Sequence, residues 1–327
     1  MITRYYTSQP VRKFSIMTEK ITGDSGHQYL IEKTLQDKEI PFGRVLLATN
    51  DNAKFVLKEI PQDFNIRASI YRRIGSQPHV RTLSDTIPAR RMFVFDYLDE
   101  NLLAFAQREL SLALTKRILK CALKGLAALH ELDLVHNDLK PNNIMIQPRE
   151  SANGVDIEQV QLVDLEDTVH LPPGRAIMGA QVGSWMWRSP EAHAQGPVEK
   201  PSDMFSFGIV CIYAMTQQVI FAVDEYELSG GEDKLAIVLE RQISYFADKD
   251  GLNGFLRYIG DESPWYEIFQ VIRSGFGEEQ PRKPFALWDG GKLDEDFKAL
   301  VGGLTNLDPV KRLTALQALA HRWFRDV

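Results

Sequence analysis

The stretch Val135-His136-Asn137-Asp138-Leu139-Lys140-Pro141-Asn142-Asn143-Ile144, VHNDLKPNNI, sets a carboxylate, an ammonium and a carboxamide within six positions and frames them with apolar residues. Asp138 can accept a proton, Lys140 can neutralise an anion, and Asn143 offers an oxygen to a hard cation such as Mg²⁺. Together they suggest phosphoryl transfer. The plain alternative is a helix-capping loop rich in Asp and Asn. A cap, however, needs no lysine at that spacing.

Working outward, the 327 residues and 44% hydrophobic content allow a large core, as one large domain or as two lobes. Asp+Glu 44 against Lys+Arg 38 leaves a net charge of -6, which argues against nucleic acid as the main partner. The only cysteines, Cys121 and Cys211, each sit inside an apolar helical pattern, so a disulfide framework is not expected and a reduced, intracellular setting is. Met204 to Val223 (MFSFGIVCIYAMTQQVIFAV) has no charge and is long enough to raise the question of a membrane span. Thr216, Gln217 and Gln218 interrupt it, and a core helix is the better reading. The start, MITRYYTSQPVRKFSIM, is basic, as some organellar transit peptides are, but its helical periodicity is poor; a frayed or strand-forming extension is expected.

Tyr29 to Ile31, Arg44 to Thr49 and Lys54 to Ile60 read as strands with polar turns between them, giving a small antiparallel sheet. Phe64 to Ile74 reads as a short helix and Met92 to Leu98 as a buried strand. Long helices follow: Leu114, Ile118, Cys121, Ala122, Gly125 and Leu129 share one apolar face, with Lys116, Arg117, Lys120 and Lys124 opposite. A helical lobe therefore begins near residue 100. Glu150 to Gln159 is a polar excursion with the look of a hairpin tip.

HNDLKPNN resembles the catalytic loop of eukaryotic-type protein kinases, His-Arg-Asp-x-Lys-x-x-Asn, and other matches follow in the family's order. Val163-Asp164-Leu165-Glu166 stands where the family has Asp-Phe-Gly. Gly183-Ser184-Trp185-Met186-Trp187-Arg188-Ser189-Pro190-Glu191 resembles the end of its activation segment, and the Trp-Met-Trp run is similar to that of divergent fungal kinase-like proteins. Asp203 matches the aspartate that opens the central helix of the helical lobe. Asp308-Pro309, Arg312 and His321-Arg322-Trp323-Phe324 resemble the last helix. The resemblance spans about residues 28 to 325.

It implies an α+β, bilobal fold: an extension over 1–27, a small antiparallel sheet lobe over 28–97 and a mainly helical lobe over 98–327. It implies Asp138 as the group that orients the substrate hydroxyl and accepts its proton, and Lys140 as the charge on the transferring phosphoryl. Asn143 and Asp164 would hold Mg²⁺. ATP would lie against Gly43 and Val45 of the glycine-rich loop, Lys58 on the third strand, and the hinge backbone from Asp96 to Leu98, with Phe95 as gatekeeper. Ser184 would hydrogen-bond to Asp138 and Lys140, a Ser/Thr-kinase feature. Asp203 would brace the loop backbone, Glu191 and Arg312 would form a buried ion pair, and His136 and Leu165 would belong to an apolar stack. A protein substrate, an intracellular location and no membrane span complete the expectation.

Three departures complicate it. The loop Lys38-Glu39-Ile40-Pro41-Phe42-Gly43-Arg44-Val45 keeps only the last glycine of Gly-x-Gly-x-x-Gly-x-Val. Phe64 to Pro78 contains no acid, so the glutamate that pairs with the strand lysine is missing; alignment puts Arg67 or Ala68 there. Glu166 replaces the glycine after the metal aspartate, where it could stiffen the turn or add a carboxylate near the metal. These losses support a rival reading, a pseudokinase acting as a nucleotide-binding scaffold or regulator. A small-molecule phosphotransferase is a more distant third. Asn137 replaces the arginine before the catalytic aspartate, and Val169 to Gly183 has no Ser, Thr or Tyr, so control by activation-loop phosphorylation is not expected.

Overall fold

A computed structural model describes residues 19–38, 43–151, 154–228, 230–231, 233–291 and 293–327. Residues 39–42 of the glycine-rich loop and the basic stretch before residue 19 lie outside the described residues. The chain divides into two compact units, residues 1–64 with 83–97, and residues 65–82 with 98–327.

The first unit is an antiparallel sheet. Its strands are β1 (Lys20–Thr22), β2 (Gln28–Lys38), β3 (Gly43–Asn50) and β4 (Ala53–Glu59). Helix α1 (Phe64–Ile74) then intervenes before β5 (Asp85–Ile87) and β6 (Met92–Asp96), and the sheet order is β1-β2-β3-β4-β6-β5. Alternation puts Leu46, Ala48, Leu57, Met92 and Val94 on one face, where they pack with Ile21, Tyr29 and Ile87. The other face carries Val45, Lys58 and Phe93, which are cross-strand partners. Asp51 and Asn52 turn β3 into β4 with positive φ, which Asp and Asn tolerate best among non-glycine residues. Strand β2 runs seven residues beyond the Ile31 expected from its apolar pattern, to Lys38. The extra length, EKTLQDK, is polar and mostly exposed; its ladder with β3 extends it, not burial.

The second unit takes in α1 from Asn65 onward and resumes at Leu98. A short β7 (Glu100–Asn101) and α2 (Leu102–Phe105) lead to α3 (Leu112–Glu131), whose N-terminus is capped by Ser111 accepting from Leu114 N–H at 3.2 Å. After β8 (Leu134–Val135) the hairpin β9 (Ile144–Ser151) and β10 (Gly154–Leu162) forms, with β7 pairing on β9; β11 (Val169–His170) pairs with β8. Helices α4 (Pro190–His193), α5 (Lys200–Thr216), α6 (Lys234–Phe246), α7 (Lys249–Ile259), α8 (Pro264–Ser274), α9 (Glu295–Leu304) and α10 (Ala315–Leu319) complete it.

Two expectations need correction here. The uncharged run Met204 to Val223 is not one helix: α5 stops at Thr216, where Gln217 takes a left-handed φ of 61°. Among the described residues no helix is long and apolar enough to cross a membrane. On α3, Lys116 is not on a solvated face. It is buried, its ammonium 5.1 Å from the Trp323 ring centroid and 2.9 Å from Asp326, because the end of the chain returns over this helix.

Candidate active site

The catalytic-loop residues converge because one buried carboxylate organises their backbone. Asp203, near the start of α5, accepts from the N–H groups of His136 at 2.8 Å and Asn137 at 3.0 Å, and from His130 Nε2 at 3.0 Å. Asn137 can therefore hold a left-handed φ of 66°, unfavourable for most side chains. The loop leaves that bend with Asp138 facing the groups that follow.

Lys140 Nζ donates to Asp138 Oδ2 at 2.6 Å and to Ser184 Oγ at 2.8 Å. The Ser184 N–H donates to Asp138 Oδ1 at 2.8 Å, so both carboxylate oxygens are engaged. Asn143 Nδ2 donates to the Asp138 carbonyl at 2.8 Å and to Oδ2 at 3.2 Å. Nδ2 thus faces Asp138, and the side-chain oxygen Oδ1 of Asn143 is the atom left to face a cation. The next strand is tied in by the Val163 N–H to the Asn143 carbonyl at 2.9 Å, one residue before Asp164, which is itself left-handed at φ 62°, ψ 54°. Oxygen donors of this kind, a carboxylate and a carboxamide, suit Mg²⁺.

His136 is fully buried, and both of its ring nitrogens are hydrogen-bonded. The Val163 carbonyl can only accept, so Nε2 carries the proton and donates to it at 3.1 Å, leaving Nδ1 to accept from the Asp138 N–H at 3.3 Å. The ring therefore fixes both the loop and the strand before Asp164.

Ser184 is placed by Gly183. Its φ of 81° requires glycine, and a Cβ there would lie 2.4 Å from the Asn137 carbonyl oxygen. Arg188, which the motif reading gave no role, closes this end: its guanidinium donates to the carbonyls of Val182 at 2.8 Å and Gly183 at 2.6 Å. Burial lowers the Arg188 pKa, and the Asp138 charge opposes that shift. Further along, the Glu191 carboxylate meets Arg312 at 2.5 and 2.8 Å, with side chains 1% and 0% exposed. Arg312 also donates to the carbonyls of Asn306, Pro201 and Leu307, so every donor of its fork is used.

The activation segment lies along the chain that follows it. Ile177 and Val198 exchange backbone bonds of 3.0 and 2.9 Å, the Gly179 N–H donates to Gln195, and the Gln181 side chain donates to the His193 carbonyl. At its beginning Asn137 Nδ2 donates to the Asp167 carbonyl at 2.9 Å.

The remaining candidate residues belong to the sheet unit. Gly43 opens β3 at φ 71°, Val45 and half-buried Lys58 are paired across β3 and β4, and Asp96 ends β6 with its carboxylate accepting from Ser84 at 2.7 Å. Phe95 is buried on the same strand, and Leu98, also buried, is where the chain re-enters the second unit.

Residues 41–324 match the protein kinase domain. The chain belongs to the protein kinase family. Its sheet unit and mainly helical unit are the α+β architecture of that fold. This kinase domain is 25% identical over 279 residues to the phosphorylase b kinase gamma catalytic chain, liver/testis isoform, of Bos taurus, covering 82% of this chain and 55% of that protein. The human counterpart is 29% identical over 279 residues with the same coverage. A probable cyclin-dependent serine/threonine-protein kinase of Dictyostelium discoideum is 25% identical over 243 residues, 71% of this chain and 15% of that protein. The kinase domain thus spans about half the length of the first two relatives, 55% in each case.

Proposed function

We propose that this kinase domain transfers the γ-phosphoryl of ATP to Ser/Thr hydroxyls of a protein substrate. The observation that carries the reading is the three-way contact of Lys140 with Asp138 and Ser184, at 2.6 and 2.8 Å, with Asn143 on the same carboxylate. Asp138 orients the incoming hydroxyl and takes its proton as the oxygen–phosphorus bond forms and the bond to the β-phosphate oxygen breaks, leaving ADP. Lys140 balances charge on the transferring group. Asn143 and Asp164 would hold Mg²⁺, which supplies charge neutralisation at the phosphates. Gly43, Val45, Lys58 and the backbone from Asp96 to Leu98 would contact the nucleotide. Preference for Ser/Thr is supported by Ser184 bridging Lys140 and Asp138 and by the name of the Dictyostelium relative.

A second reading, a nucleotide-binding pseudokinase that serves as scaffold or regulator, is favoured by one observation: α1, FNIRASIYRRI, carries no acidic residue. Phosphoryl transfer depends mainly on positioned charges near the γ-phosphate, and those are retained, which favours the enzyme. Turnover of radiolabelled ATP by the pure chain, with and without Mg²⁺, separates the two. The wild type should label a generic Ser/Thr substrate and Asp138→Asn should fall by about 10²–10⁴-fold. Equal label in both would refute the enzyme reading.

A further inference from the structure

The helix that lacks the family's glutamate carries another polar contact. Tyr71 lies on the buried face of α1 with Ile70 and Ile74, and its hydroxyl donates to Glu166 Oε1 at 3.4 Å. Burial, and then the Glu166 charge, push the Tyr71 pKa well above its ordinary value, so the phenol keeps its proton and acts as a donor.

The turn it touches needs support. Asp164 is a non-glycine residue in the left-handed region, a conformation that persists only where the surroundings over-determine it. The Val163 N–H holds the turn from in front through the Asn143 carbonyl, and Asn137 Nδ2 holds it from behind through the Asp167 carbonyl. The Thr168 N–H closes a turn onto the Leu165 carbonyl. Tyr71 meets the middle at Glu166, where the family pattern has a glycine and no side chain could be gripped.

We infer that Tyr71 and Glu166 form a latch that positions the Asp164 turn, with Glu166 acting through that turn's geometry and not as a metal ligand. The inference rests on the reading of Asp164 as the Mg²⁺ carboxylate and names two positioning residues for it. A bond of 3.4 Å is long for O–H···O, so the latch is worth the lower end of one net hydrogen bond.

Two measurements on the full chain test it. In hydrogen exchange without nucleotide, Tyr71→Phe and Glu166→Ala should each speed exchange of the amides from Leu165 to Thr168 about two- to fivefold, while Glu166→Gln, which keeps an acceptor, stays near wild type. The Mg²⁺ concentration giving half of the ATP-dependent rise in melting temperature should increase by a similar factor in the first two variants and little in the third. Tyr71→Phe keeps the ring, so packing is preserved. Unchanged exchange in Tyr71→Phe would overturn the latch. So would a Mg²⁺ response lost as fully in Glu166→Gln as in Glu166→Ala but kept in Tyr71→Phe, since Glu166 would then bind the metal directly. If the wild type shows no Mg²⁺-ATP shift at all, the nucleotide reading fails and the exchange result still decides the latch.

Discussion

In the helical unit the catalytic loop is braced from several directions: Asp203 on its backbone, His136 on the strand beside it, Lys140 and Asn143 on Asp138, and Arg188 on the segment that brings Ser184. In the sheet unit the residues proposed to contact the nucleotide rest on strand pairing, with Val45 opposite Lys58 and a single glycine, Gly43, kept from the family's glycine-rich pattern. The family pattern is kept where charge must be positioned on the reacting group. It has drifted where the demand is a close backbone approach to phosphates, a contact that several loop shapes can provide. The ion pairs differ between the units as well: Glu191 with Arg312 in the helical unit is buried, whereas Arg44 with Glu59 and Arg90 with Glu19 in the sheet unit are exposed to solvent.

The sharpest break of this comparison is Arg312→Ala. It strands Glu191 as an unpaired buried carboxylate, and should lower stability by about 3–5 kcal/mol in urea unfolding. An ion pair of the sheet unit, Arg44 with Glu59 at 2.8 Å, has side chains 50% and 24% exposed, and Arg44→Ala should cost about 0–1 kcal/mol. Similar costs for the two variants would show that burial does not separate the units.

Acid should also act first on the helical unit. Burial, and then the Arg188 charge, hold the His193 imidazole pKa down to about 3. The folded state thus refuses a proton that the unfolded chain accepts below 6.5. Stability from this group is complete above that value and is lost as pH falls toward 3, amounting to about 2 kcal/mol between pH 7 and 5. His193→Gln should flatten the decline of melting temperature over that interval; a parallel decline in both proteins would contradict it.

A smaller effect is expected on α1. Arg67 and Ala68 are both half-buried, and restoring an acid by Arg67→Glu or Ala68→Glu should raise turnover by a few-fold or leave it unchanged in at least one variant. If both lose all activity while ATP still binds, the helix depends on the arrangement it already has, with Tyr71 as its contact to the turn after Asp164.

The smallest effect should be none. Between Asp164 and Arg188 the only hydroxyl side chains are Thr168, which is buried, and Ser184, which is bonded to Lys140. The segment is already held by Ile177, Gly179, Gln181 and the neutral grip of Asn137. Phosphatase treatment should leave the rate as it was, and a large drop reversed by rephosphorylation would show that a phosphate orders the loop after all.

Sequence alone determined the parts of this protein whose chemistry is local. The order of Asp138, Lys140, Asn143 and Asp164 and the boundaries of α1 from Phe64 to Ile74 were legible, because side-chain type at fixed spacing carries them; the distant pair Glu191 and Arg312 was legible only through the family resemblance. What tertiary structure decided were contacts between residues far apart in the chain. Nothing local to EKTLQDK says that β2 continues, since only β3 supplies its hydrogen bonds. Lys116 reads as a solvated lysine until Trp323 and Asp326 fold back over it, more than 200 positions later. Tyr71 reads as one more apolar residue of α1 until Glu166, 95 positions on, meets its hydroxyl. A hydrogen bond between distant residues depends on where both backbones end up, and side-chain spacing along the chain contains no record of that.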